Sequence, residues 1–109
     1  MPAEKGKTDS PIRRLVTLDR MVHEPARLAV LLMLSVVDRA DFLYILNETG
    51  MSKGNLSSHM AKLEEAGYIS VEKIFQEKIP RTMYRLSKDG HDAFGAHRGI
   101  LLEALGKKA

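Results

Sequence analysis

The sequence predicts a mainly helical fold with a small β-hairpin, of the α+β class. Apolar residues recur at helical spacing over most of the 109 residues. Over residues 68–86 the pattern changes to alternation, which is typical of two short strands joined by a turn. Residues 1–11 are polar and contain two prolines, so a disordered tail is expected there, followed by one domain over 12–109.

Composition excludes several classes of protein. The chain has no cysteine, which rules out disulfides and thiolate chemistry. Its longest apolar stretch, 28–37, is far shorter than the roughly 18 residues that span a bilayer, and the N-terminus lacks the pattern of a secretory signal. A cytoplasmic protein with no membrane partner is therefore expected.

Helix signals come first along the chain. A short helix is expected from Ile12, and Pro25 suits the first turn of a second helix whose apolar run 26–37 should be buried. Asp38 is the expected N-cap of the next helix, which Gly50 ends. After a tight turn, Ser52 opens a helix over residues 52–66.

The remaining elements are a hairpin and a final helix. Two strands within residues 68–86 flank a five-residue polar loop over 76–80, and Ser87 begins a helix that extends to 107. This order of elements is that of a winged helix-turn-helix fold: helix, helix, tight turn, helix, hairpin and helix. The helix-turn-helix is expected at 38–66 and the wing at 68–86. An ordinary small α+β domain is the alternative.

Charge placement favours the winged-helix interpretation. The formal net charge is +3 and the pI about 9.3. Residues 52–88 contain seven basic and four acidic side chains, so the whole positive excess lies in this third of the chain. A basic, compact segment is suited to an anionic partner such as nucleic acid.

The helix over residues 52–66 is the predicted recognition helix. With Leu56, Met60 and Leu63 facing the core, the opposite face carries mainly small side chains, which allow close approach to a major groove. Asn55 can pair with adenine, and Ser58 can bond a base edge or a phosphate. The predicted phosphate contacts in this helix are Lys53, Lys62 and the backbone N–H groups around Lys53 and Gly54. The N-cap Ser52 is also predicted to lie at the DNA-binding surface. The alternative is an ordinary solvated face.

The hairpin supplies a second predicted contact. Lys73, Lys78 and Arg81 bracket its loop, and Arg81 is expected to reach the minor groove or the backbone. The alternative is a charged loop that protects an edge strand, which Glu77 favours.

The segment SKGNLSSHMAKLEEAGYISVEKIFQEKIPRTMYRLSKDGHDAF resembles compact winged-helix transcriptional regulators distantly related to the MarR and ArsR families. The GNLSSH run, the LEEAGY helix end and the PRTMYRLS strand carry the resemblance, which covers residues 18–105. It implies a DNA-binding regulator, usually a homodimer on a palindromic operator. By this resemblance, recognition-helix and wing contacts fall on Lys53, Asn55, Ser57, Ser58, His59, Arg81 and Thr82. The QEKIP loop lacks the glycine often found in such wings, and the cysteines of metal-sensing relatives are absent.

The final helix is the predicted dimerisation element. Its apolar stripe consists of Phe94, His97, Ile100, Leu101, Ala104 and Leu105. Leu15 and Leu18 form a second stripe, and we expect the two to pair across a two-fold axis, with two recognition helices roughly 34 Å apart. Gly95 and Gly99 are consistent either with close helix packing or with simple tolerance of glycine.

The predicted function is that of a dimeric, sequence-specific regulator that binds double-stranded DNA. A winged helix that only binds an acidic protein partner is the main alternative. An enzyme is disfavoured because the chain lacks a P-loop, a nucleophile elbow and an HExxH motif. No cofactor or metal is expected, since His91 and His97 are six residues apart. The sequence does not identify an effector.

Overall fold

The computed structural model describes residues 10–106 and confirms the α+β class. The elements are α1 (Pro11–Val16), α2 (Pro25–Ser35), β1 (Ala40–Asp41), α3 (Phe42–Thr49), α4 (Lys53–Glu65), β2 (Ile69–Gln76), β3 (Ile79–Leu86) and α5 (Lys88–Ala104). The strands form one antiparallel sheet in the order β1-β3-β2. Within residues 10–106, no helix is long and apolar enough to cross a membrane.

Short polar side chains cap the N-termini of α4 and α5. The Ser52 hydroxyl accepts the backbone N–H of Asn55 at the start of α4, and the Ser87 hydroxyl accepts that of Gly90 at the start of α5. Both N-caps are as predicted. Each cap satisfies a backbone donor that the first helical turn leaves unpaired.

The predicted N-cap at Asp38 is wrong. Asp41 caps α3 instead, because its carboxylate accepts the backbone N–H of Tyr44 at 2.7 Å. Ala40 and Asp41 are extended, since they pair with Tyr84 and Met83 of β3. This short strand delays the helix to Phe42. The helix ends as predicted at Gly50, whose φ of 70° is accessible to glycine at little cost.

The turn of the wing is tighter than the sequence predicts. Glu77 and Lys78, with φ of 52° and 68°, form a two-residue turn rather than the predicted five-residue loop. Two positive φ values match the twist of the flanking strands, so pairing continues to Gln76 and Ile79. The next pair, Phe75 with Pro80, is a non-hydrogen-bonded one, so proline removes no bond from the ladder.

The core lies between the helices and one face of the sheet. Its fully buried side chains come from the segment before α2 and from α2, α3 and α4, and they are Val22, Val30, Leu31, Leu34, Ile45, Leu56 and Leu63. The predicted central buried helix is present as α2, but the run 26–37 is not buried at every position. Leu32 is 54% exposed, and Val36 and Val37 lie exposed beyond the end of α2.

The N-terminal helix packs on the C-terminal helix within the same chain. Arg14 of α1 forms an ion pair with Glu103 of α5. Ser10 caps α1 and Pro11 is its first residue, so the helix begins within the predicted tail, at residue 11. The rest of that prediction, over residues 1–9, lies outside the described residues. The prediction that the last helix extends to 107 is wrong, because α5 ends at Ala104, with Leu105 as its C-cap and Gly106 at a φ of 83°.

Candidate nucleic-acid interface

One face of α4 brings together most of the residues predicted to read DNA. Leu56, Met60 and Leu63 are buried in the core, which turns the opposite side of the helix to solvent. The exposed residues on that side are Lys53, Gly54, Asn55, Ser57, Ser58, Ala61, Lys62 and Glu65. Their side chains are short apart from two lysines and one glutamate, so a groove-sized ligand can approach the helix closely.

Gly54 is a glycine that the fold itself does not require. A Cβ added there would meet no heavy atom within 4 Å, and its φ is not positive. Alanine would therefore fit, and it is the better helix former by up to about 1 kcal/mol. A residue without a side chain, at a position where the fold would accept alanine, is consistent with a partner that approaches this helix closely.

His59 does not lie on the exposed face. Its Nδ1 atom lies 3.1 Å from the Arg27 guanidinium, which also donates to the backbone carbonyls of Met21 and Arg20. The imidazole is largely buried, and the Glu24 carboxylate lies 3.9 Å from its other nitrogen. Because Arg27 is a donor only, Nδ1 accepts this bond. His59 thus anchors α4 to the start of α2.

The inner face of the wing lies beside α4. We define it by the alternating residues Ile69, Val71, Lys73 and Phe75 of β2 with their partners Leu86, Tyr84, Thr82 and Pro80 of β3. A cleft of about 420 Å³ separates this face from α4 and is lined by Ser57, Ala61, Lys73 and Thr82 among others. Three predicted DNA-contact residues, Ser57, Lys73 and Thr82, therefore border one cleft.

Arg81 is not placed at the wing tip. Its guanidinium donates to the Asp41 carboxylate at 2.7 Å, while the other oxygen of Asp41 caps α3. In the hairpin register Arg81 is paired with Ile74, two pairs below Gln76 and Ile79, which flank the turn. The ion pair connects the wing to α3, so Arg81 has a positioning role within the fold. Its predicted contact with the minor groove stays a prediction, which substitution of Arg81 tests.

The wing tip carries exposed apolar side chains that the sequence reasoning passed over. Phe75 is 79% exposed and Ile79 is 53% exposed, on either side of the Glu77–Lys78 turn. The strand alternation grouped Phe75 with the buried Ile69 and the half-buried Val71. The signal that separates them is Lys73, whose exposure marks the point where this face of the sheet leaves the core.

The predicted dimerisation residues divide between core and surface. Leu18 and His97 are buried within the chain. The helix α1 packs on α5 of the same chain, whereas the prediction paired the two stripes between two copies, and that pairing stays a prediction. An apolar groove of about 320 Å³ remains open between α2 and α5. Its lining includes Leu28, Leu32, Phe94, Arg98, Leu101, Leu102 and Leu105. Ile100 and Ala104 are half-buried.

Residues 17–24 connect this groove region to α4. The Asp19 carboxylate accepts the Tyr68 hydroxyl just after α4, and this bond, followed by burial, raises the pKa of Tyr68 to about 12. His23 Nδ1 lies 2.9 Å from His97 Nε2 in α5. Burial, then the charge of His23, lowers the pKa of His97.

Residues 10–106 contain no cluster of three or more metal-ligating side chains.

Comparison with known proteins gives consistent matches. The family described as winged helix DNA-binding domain matches residues 26–105. An uncharacterised protein of Methanocaldococcus jannaschii is 25% identical over 75 residues, which cover 69% of this chain and 82% of that protein. The fold is similar to that of a transcriptional regulator homologue from Pyrococcus horikoshii, with a TM-score of 0.80 and 22% identity over 88% of this chain and 94% of the other. A PadR family transcriptional regulator from Eggerthella lenta gives a TM-score of 0.54 and 25% identity over 80% and 87% of the two chains.

Proposed function

This chain belongs to the winged helix DNA-binding domain family, and from that premise we propose that it is a sequence-specific transcriptional regulator acting as a homodimer on double-stranded DNA. In this proposal α4 enters the major groove and the wing contacts the adjacent backbone or minor groove. The closer relationship to MarR and ArsR regulators, suggested by the GNLSSH and PRTMYRLS segments, stays a prediction.

The exposed face of α4 is the observation that carries the proposal. Asn55 and Ser58 are its readers of base edges, because an amide and a hydroxyl can both donate and accept there. Lys53 and Lys62 bind phosphates and supply affinity without sequence preference. Gly54 supports this assignment, since the open space around it serves no contact within the fold.

The α2–α5 groove supports the homodimer. Leu32 is 54% exposed and Leu105 is 73% exposed, and both line this leucine-rich groove. A second copy that covered the groove would bury apolar surface at about 25 cal/mol per Å². A two-fold pair would also present two copies of α4 to successive major grooves.

Selection of duplexes from a random pool tests DNA reading directly. We expect the chain to enrich a palindromic sequence, and Asn55→Ala to relax base preference at one position with a loss of about 1–3 kcal/mol. Lys62→Ala should weaken binding to all duplexes alike and lower the salt slope by about one. Enrichment of no sequence would overturn the proposal and favour a module that binds an acidic protein partner.

Sedimentation tests the dimer independently of DNA. Leu32→Glu places a charge in the α2–α5 groove and should convert the dimer to a monomer. Val36→Glu is the matched control, because Val36 is 75% exposed and does not line the groove. A Leu32→Glu protein that remains dimeric would show that copies associate elsewhere.

A further inference from the structure

The tip of the wing exposes an aromatic ring that the fold does not use. Phe75 is 79% exposed and is not among the side chains that pack against the core. Its pairing partner, Pro80, and the neighbouring Ile79 are exposed as well. A large apolar side chain kept mostly in water at the end of a hairpin contributes little to folding, because it buries little surface there.

The orientation of Phe75 places it on the side of the wing that faces α4. Side chains alternate along a strand, so Phe75 shares the inner face with Lys73, two residues earlier. Lys73 and its partner Thr82 line the cleft against Ser57 and Ala61 of α4. Phe75 continues this face outward by one strand repeat, roughly 7 Å beyond Lys73.

The charges around the ring select an anionic partner over a neutral one. Lys73 lies on the same face, Lys78 lies in the turn, and both side chains are exposed. Glu77 is the acidic group of the turn. An apolar ring flanked by two cations is suited to a groove whose walls are phosphates and whose floor is apolar base and sugar edges.

We propose that Phe75 is an apolar wedge by which the wing contacts and deforms the minor groove next to the major groove occupied by α4. This rests on the proposed function. Insertion of an apolar side chain at a base step kinks the duplex, and pyrimidine–purine steps deform most easily. The wing then adds specificity for a deformable step on each side of the operator without hydrogen bonds to bases.

The test compares variants on the duplex that the parent protein selects. Binding is measured by fluorescence anisotropy over a range of salt concentrations, and bending by energy transfer between dyes at the two DNA ends. Phe75→Ala should raise Kd about five- to tenfold, within the range for losing one aromatic contact to a base. It should also reduce the bend and leave the salt slope unchanged. Lys78→Ala should lower the salt slope by about one and keep the bend.

Two controls separate the possible causes. Phe75→Leu keeps an apolar wedge and should retain most of the bend, and Val36→Ala, an exposed apolar residue away from the wing, should behave as the parent. If Phe75→Ala binds and bends the selected duplex as the parent does, the wedge is refuted while DNA reading by α4 stands. If Phe75→Ala instead changes the sedimenting mass, the tip is a contact between copies and the wedge is wrong. If the parent selects no duplex, both proposals fail.

Discussion

The histidine pair that joins α5 to residues 17–24 makes the stability of the fold depend on pH. His97 is 2% exposed, and its Nδ1 atom is buried without a hydrogen-bond partner among residues 10–106. Buried N–H groups without a partner are rarer than buried acceptors without one, so we assign the proton of His97 to Nε2, which donates it to His23 Nδ1. This arrangement requires a neutral His97 ring.

Acidification destabilises this pair. A proton added to His97 Nδ1 is a buried donor that has no hydrogen-bond partner among residues 10–106. Burial first, and then the charge of His23, lowers the pKa of His97, while Asp19 acts in the opposite direction. The pair therefore contributes its full stabilisation of the fold at pH values above the ordinary histidine pKa of about 6.5. The contribution falls as the pH drops from there through the lowered pKa of the folded state.

The magnitude follows from proton linkage. When one histidine stays neutral in the folded state, the free energy of unfolding falls by about 1.4 kcal/mol for each pH unit below about 6.5. Between pH 7.5 and pH 5.0 we therefore expect the free energy of unfolding to fall by about 1–2 kcal/mol. This is comparable to the cost of about 1–3 kcal/mol for one buried polar group left unpaired.

Urea unfolding followed by circular dichroism, at fixed protein concentration and a series of pH values, measures this loss. His97→Leu removes the buried titrating group and should flatten the curve over this range. His91→Gln removes an exposed histidine and should leave the curve unchanged. A parent protein without the loss, or a His97→Leu protein that retains it, would refute the assignment of this pH dependence to the pair.

Three further predictions concern single side chains. Gly90→Ala should destabilise the fold by about 1–3 kcal/mol in urea unfolding, because its Cβ would lie 2.0 Å from the Tyr68 carbonyl oxygen; unchanged stability would contradict this packing. Gly54→Ala and Gly95→Ala should each raise the free energy of unfolding by up to about 1 kcal/mol, since both glycines lie in open space. Only Gly54→Ala should weaken binding to the selected duplex. Equal weakening by both variants would count against α4 as the recognition helix. Arg81→Ala should lower the free energy of unfolding by about 1 kcal/mol and leave the salt slope of DNA binding unchanged, because Asp41 already binds the guanidinium; a slope lower by about one would show a phosphate contact instead.

Local signals were sufficient for much of the fold. The caps Ser52 and Ser87, the buried stripe of α4 and the existence of the hairpin follow from residues within a few positions of one another. The exposed face of α4 follows as well, because burying Leu56 and Met60 leaves only one side of the helix to solvent. Helix periodicity and capping are properties of neighbouring residues, so one sequence is enough to show them.

The tertiary structure decided which of the polar candidates are available to a ligand. Arg81 binds Asp41, 40 residues earlier in the chain, and His97 bonds His23, 74 residues earlier. His59 is held by Arg27 in the same way. Composition and spacing cannot show that these side chains have hydrogen-bond or ion-pair partners, because they contain no information about contacts between residues distant in the chain.

By itself, then, the sequence determined the class of the fold, the helix that faces solvent and the small residues upon it. Only the packing of distant segments showed that the wing tip is apolar at Phe75 and that the arginine expected there is held at α3. The physical reason is the range of the interactions. Secondary structure depends mainly on neighbours along the chain, whereas ion pairs, buried hydrogen bonds and exposure depend on contacts between segments that meet only in the folded protein.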